Sequence, residues 1–83
     1  MNGSKVGRVT HYYDRIGVAV IELSGGLANG DWVRFVRKGE PLFEQEVTSM
    51  QIEHQPIRAA RRGDVVALKV AQEVKEGTEV YKV

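Results

Sequence analysis

The sequence has no cysteine, which excludes disulfides and thiolate metal sites outright. It has no excess of charge of either sign. Twelve basic residues face 11 acidic ones, for a net charge of +1, so no global field marks a nucleic-acid partner. It also has no long apolar stretch. The longest run, Val18 to Ile21, falls far short of the roughly 20 residues a membrane helix needs. The opening Met1-Asn2-Gly3-Ser4-Lys5 has no apolar segment behind it, so no signal peptide is expected, and the Asn2-Gly3-Ser4 sequon reads as chance. A cytoplasmic location is the expectation by elimination. No helix of useful length is visible. Pro56 to Ala60 is expected to form a turn or a single 3₁₀ piece, ended by Gly63.

What remains is a chain of 83 residues, 42% hydrophobic and 28% charged, the composition of an ordinary globular domain. Residues 1–83 are expected to form a single β-barrel domain, with 1–4 a flexible N-terminus. Short runs of Val, Ile, Thr and aromatic residues, each bounded by a glycine-containing turn, give the strands. Lys5 to Tyr13 and Ile16 to Leu23 form a hairpin across Asp14-Arg15. After a loop from Ser24 to Gly30, Trp32 to Arg37 is a third strand. Lys38-Gly39-Glu40 turns it into a fourth, Leu42 to about Ile52. Val65 to Val70 and Glu79 to Val83 complete six. Three strand starts share one form: Gly30-Asp31, Gly63-Asp64 and Gly77-Thr78. Glycine reverses the chain, and the Asp or Thr side chain is expected to bond a nearby backbone N–H.

Alternation assigns the faces. Val66, Leu68 and Val70 should point inward, opposite Lys69, and Val33 and Phe35 should share a face opposite Trp32, Arg34 and Val36. In the fourth strand Glu44 and Glu46 oppose Phe43, Gln45 and Val47, yet Met50 and Ile52 have the parity of the glutamates. The apolar side therefore switches, which a bulge or bend near Thr48-Ser49 would accomplish. Six short strands, no helix and a built-in bend predict an all-β fold: a small closed or nearly closed antiparallel barrel of six or more strands.

Chemistry is sparse. Gly25 to Gly30 has the glycine spacing of a phosphate-binding loop, but Asp31 and Trp32 follow where Lys and Ser or Thr are required. The adjacent Glu53 and His54 project to opposite faces of a strand, and with His11 as the other histidine no metal set is apparent. No serine lies in a nucleophile elbow. The pairs Glu44 with Glu46 and Glu73 with Glu76 have no cavity to raise a carboxyl pKa and read as solvating charges. Arg62-Gly63-Asp64 spells an adhesion tripeptide that its place before a strand already explains. Catalytic residues, metal sites and cofactors are accordingly all expected to be none. The surface carries more. Residues 1–39 hold six basic against three acidic residues, and residues 40–83 six against eight. Arg58, Arg61 and Arg62 form a second basic cluster, which would merge with the first if the third and fifth strands approached each other. Arg8, His11, Tyr12, Tyr13 and Trp32 add flat groups able to stack on bases.

The order Gly7-Arg8-Val9-Thr10-His11-Tyr12-Tyr13, Gly17 to Leu23, Leu27-Ala28-Asn29-Gly30-Asp31-Trp32-Val33, Val47 to Ile52, Ala60 to Leu68 and Gly77-Thr78-Glu79-Val80 resembles domain 2 of translational GTPases of the elongation factor Tu and initiation factor family. The resemblance runs from about Lys5 to Val83. It implies a Greek-key β-barrel in a translation elongation factor-like protein of protein biosynthesis, one that packs on a GTPase domain and contacts RNA. A similar barrel is a C-terminal accessory domain of U32 peptidase-like proteins, some of which act in RNA modification. The leading expectation is a non-catalytic module contacting tRNA or ribosomal RNA, or a ribonucleoprotein, with Arg8, Arg34, Arg37, Lys38, Arg61 and Arg62 neutralising phosphate and Tyr12 stacking. The alternative is an accessory barrel docking on a separately encoded GTPase or U32 peptidase-like enzyme through an apolar patch around Trp32 and Val36. Neither a membrane nor DNA is an expected partner.

Overall fold

The computed structural model describes residues 4–83. Ten strands follow one another: β1 (Ser4–Tyr13), β2 (Val18–Leu23), β3 (Leu27–Ala28), β4 (Trp32–Arg37), β5 (Glu40–Glu46), β6 (Met50–Ile52), β7 (Gln55–Ile57), β8 (Ala59–Ala60), β9 (Val65–Lys69) and β10 (Glu79–Lys82). Eight of them form one sheet in the order β5-β4-β10-β1-β2-β9-β6-β7, and β3 and β8 form a separate pair. Every pairing is antiparallel. Of the segment expected to be a flexible N-terminus, Ser4 opens β1 opposite Lys82, and residues 1–3 lie outside the described residues.

The inward residues are those that alternation selects. Val33, Phe35, Val66 and Leu68 are sealed in the core with Val9, Ile21, Met50 and Val80, and Val70 is buried beside them. The stacked rings of Phe35 and Phe43, 4.7 Å apart, fill one end. The long fourth strand is indeed broken, with Val47–Ser49 outside any strand between β5 and β6. Val47 turns its backbone to the β3–β4 connection there: its N–H donates to Asp31 O and its carbonyl accepts from Gly30 N, both at 2.8 Å.

Three expectations are corrected. The first is barrel closure. The sheet is antiparallel and strongly curled, but no ladder joins its end strands β5 and β7, so a closed barrel is not formed. The end strand β5 instead reaches the C-terminal end of β9, third from the far end of the sheet, through a side chain. Gln45 of β5 donates from Nε2 to Lys69 O at 2.9 Å, and its Oε1 accepts from Ala71 N at 2.8 Å. The second is the segment Pro56 to Ala60, which belongs to the two short strands β7 and β8 with only Arg58 between them, rather than to a turn or 3₁₀ piece. Pro56 lies on the edge strand β7, where a missing N–H breaks no ladder. The third is the first hairpin. Its connection is Asp14–Gly17, with Gly17 N bonded to Tyr13 O at 2.9 Å, so Ile16 belongs to the turn and is 61% exposed.

Candidate functional site

The outer surface divides into two halves of different character. Over β1, β10, β4 and β5, and reaching the end of β2 at Glu22, it carries ion pairs between neighbouring strands. Arg8 Nη2 meets Glu22 Oε1 at 3.2 Å, Lys5 Nζ meets Glu79 Oε2 at 3.1 Å, and Arg34 grips Glu44 Oε2 through Nη2 and Nε at 2.6 and 2.7 Å. Lys5 reaches Glu79 diagonally, since Tyr81 lies opposite it, and the other two pairs follow directly from register. Arg8 lies opposite Glu22, and Arg34 opposite Glu44. The hydrogen bond from Lys5, then its charge, holds the Glu79 carboxyl below the ordinary glutamate value. Partial burial opposes the shift, and the Tyr81 hydroxyl adds to it.

The residues expected to contact RNA occupy several separate positions in the fold. Arg8 and Arg34 are already neutralised by glutamates. Tyr12 is half-buried against the core. Arg37 ends β4, and Lys38 sits in the following turn with a φ of 52°. Arg61 and Arg62 are exposed in the turn before β9. The strands β4 and β9 are separated by β10, β1 and β2, so the two basic clusters do not merge by strand pairing. Lys5 and Arg8 come nearest to the second cluster. They share a shallow pocket of about 240 Å³ with Ser24 and Gly63, and Gly63 N donates to Leu23 O at 3.0 Å. The expected patch around Trp32 and Val36 is partial: Trp32 is 50% exposed, whereas Val36 is half-buried.

The other half of the outer surface was not singled out by the sequence reading. Here β2, β9 and β6 bound a groove of about 520 Å³, lined by Tyr13, Val20, Ile52, Val65 and Ala67 with Gln51, Glu53, His54 and Asp64 at its polar margins. The turn Glu53-His54 that borders it has both residues at positive φ, 49° and 66°, the backbone of a type I′ hairpin turn. The signal for this groove was present in the sequence: Val18–Ile21 and Val65–Leu68 are apolar without interruption, which places apolar side chains on both sides of their strands. His11, in contrast, belongs to a local cluster, with Nδ1 3.6 Å from Glu76 Oε2 and its ring 4.4 Å from that of Tyr13. Among the described residues, no group of three or more histidine and acidic side chains is placed to hold a metal ion.

A curled antiparallel sheet with a filled interior is a scaffold whose outside is available for contact, and comparison with known proteins gives it a context. No protein-family model matches the chain. In sequence it is 38% identical over 77 residues to an uncharacterized protease of Methanocaldococcus jannaschii, a match that covers 93% of this chain but only 19% of the protease. In structure it superposes on the C-terminal domain of a U32 peptidase-like protein of Geobacillus thermoleovorans with a TM-score of 0.88 at 23% identity, covering 96% of this chain and 92% of that one. The selenomethionine form of the same domain gives a TM-score of 0.89 at 23% identity, with coverage of 95% and 99%. The fold is therefore that of U32 peptidase C-terminal domains. These matches overturn the resemblance to domain 2 of elongation factor Tu, and with it the reading of a translation or elongation factor-like protein of protein biosynthesis. The motifs that carried that resemblance are glycine turns followed by strands, a pattern any small curled sheet of this kind needs.

Proposed function

We propose that this chain is a non-catalytic accessory β-domain of a U32 peptidase-like protein, a barrel-like module that docks on a separately folded peptidase-like body. The observation that carries the reading is the sequence match, which takes in 93% of this chain yet 19% of the protease. A match of that shape fits a self-contained module joined to a larger body. The filled interior supports it, since Phe35, Ile21, Leu27, Met50 and Leu68 leave the action to the outer surface. In the finer geometry, the bent segment 40–52 bridges two sides of the curled sheet, pairing with β4 through β5 and with β9 through β6. Contact with tRNA or ribosomal RNA has weaker support, because two of the proposed arginines are held by glutamates.

The test is binding in trans. The M. jannaschii protease lacking the matched segment is titrated with the 83-residue chain by calorimetry, and each is assayed for peptide hydrolysis. Saturable one-to-one binding is expected, with no hydrolysis by the chain alone. A truncated protease that is folded but does not bind the chain refutes the docking, and hydrolysis by the chain alone refutes the non-catalytic role.

A further inference from the structure

We infer that the outer face of β2 and β9 is the docking face, and that its groove receives an apolar strip of the peptidase-like body bordered by lysine or arginine. This rests on the accessory-domain reading. In β2, Ala19 and Ile21 point into the core while Val18 and Val20 face outward. In the neighbouring β9, Val66 and Leu68 point in while Val65 and Ala67 face outward. Adjacent strands that are apolar on both sides have the composition of a sheet covered on both sides. Among the described residues the outer side is uncovered: Val65 is 51% and Tyr13 50% exposed. Over β1, β10 and β4, by contrast, cross-strand ion pairs of Lys5, Arg8 and Arg34 give the outer face a charged character.

The rim identifies the occupant. Glu53 and Asp64 line the groove, and no lysine or arginine does. A nucleic-acid backbone brought to it would meet two carboxylates, whereas a polypeptide with basic side chains flanking an apolar strip is complementary in both charge and wetting. The left-handed Glu53-His54 turn sets the first of these carboxylates at the groove's border. Most of the matched protease lies outside the segment this chain resembles, so a body large enough to supply such a strip is present in that relative.

Photocrosslinking separates this inference from the reading beneath it. Tyr13 and Trp32 are each 50% exposed, but only Tyr13 lines the groove. Benzoylphenylalanine is placed at one position or the other, and the chain is irradiated with the M. jannaschii protease lacking its matched segment, after a cooperative thermal transition shows that this body is folded. A crosslink from position 13 and not from 32 is expected. A crosslink from 32 alone overturns the groove assignment and leaves the accessory reading standing. No crosslink from either, together with no binding by calorimetry, overturns both. If the truncated body does not fold, the same two positions are compared in a chimera carrying this chain in place of the matched segment. Glu53→Lys is expected to weaken binding by roughly fivefold or more at low salt, and unchanged affinity would sink the charge argument. Excess tRNA should leave the position-13 crosslink intact; its loss would overturn the assignment of the groove to a polypeptide.

Discussion

Asp31, Asp64 and Thr78 occupy the same place in three copies of one turn. In each, the residue's N–H donates to the carbonyl three residues back, to Ala28, Arg61 and Lys75 respectively, and the glycine before it has a φ between 90° and 97°, the arrangement of a type II turn. Both aspartates close the ring as the sequence suggests: Asp31 Oδ2 accepts from Ala28 N and Asp64 Oδ2 from Arg61 N, each at 2.9 Å. Thr78 does not. Its hydroxyl is fully buried and has no partner. Thr78→Val, which keeps the shape and removes the orphan, should therefore raise stability by about 1 kcal/mol, seen as a melting temperature higher by roughly 4–8 °C. A lowered melting temperature would mean that the hydroxyl is bonded. The turns themselves were legible in the sequence, because glycine followed by a short acceptor is a local signal. The difference between the third copy and the first two was not, because burial of Thr78 comes from strands distant along the chain. The Lys5–Glu79 pair gives a second prediction at this scale. A carboxyl whose pKa is depressed by folding contributes stability that is fully present above its unfolded value and is lost as pH falls through the folded one. The stability linked to Glu79 should thus fade below about pH 4.5, the ordinary value. Lys5→Ala should return the Glu79 titration, followed by carboxyl NMR shifts, toward that ordinary value, and an unmoved titration would show that Lys5 is not the cause.

Pairing between elements makes demands that a single strand's sequence does not announce. Gly7 lies in β1 against β2, where a Cβ would stand 2.7 Å from Ile21 Cγ2 and 2.9 Å from Glu22 O. The second of these neighbours is backbone and cannot step aside. Gly7→Ala should cost on the order of 1–3 kcal/mol by overpacking, measured by denaturant titration, and its main structural effect should be faster amide exchange in the β1–β2 hairpin. A neutral variant would mean that the two strands separate freely. In contrast, the hairpin's existence was evident from alternation alone. The same contrast explains the misread segment from Pro56 to Ala60. Local propensity argues for a helical turn there, but β7 pairs with β6 and β8 with β3, and these long-range ladders override it. The connection between β6 and β7 was similarly hidden, since a type I′ turn is signalled by Asn-Gly rather than by Glu-His. Charges summed along the sequence left the ion pairs open for a related reason: the balance of a segment says nothing about which glutamate lies across the ladder from Arg8 or Arg34.

At the scale of the whole molecule, the question is how one sheet with two ends encloses a core. Both of the chain's prolines lie on the end strands, Pro41 in β5 and Pro56 in β7. Proline on an edge removes donors that another chain would otherwise capture. The ends are thus kept from pairing with strangers, and the seam has to be held by something other than a ladder. Gln45 ties β5 to the C-terminal end of β9, on the far side of the sheet, with a single amide bonded to Lys69 O and Ala71 N, and the backbone of Val47, just beyond β5, is anchored to Asp31. Parity correctly placed Gln45 on the face of Phe43 and Val47, but nothing local distinguishes an amide that spans a seam from one that meets water. Gln45→Ala removes both bonds and leaves Ala71 N without its acceptor. It should cost about 1–3 kcal/mol. The loss should also be uneven: the Ala71 amide and those of β6 should exchange faster with solvent, while β1 and β2, three and four places from β5 in the sheet, should keep their protection. Uniform acceleration across all strands would mean that the sheet opens only as a whole. Unchanged exchange at Ala71 would mean that the curl is fixed by core packing, with the glutamine contributing nothing to it.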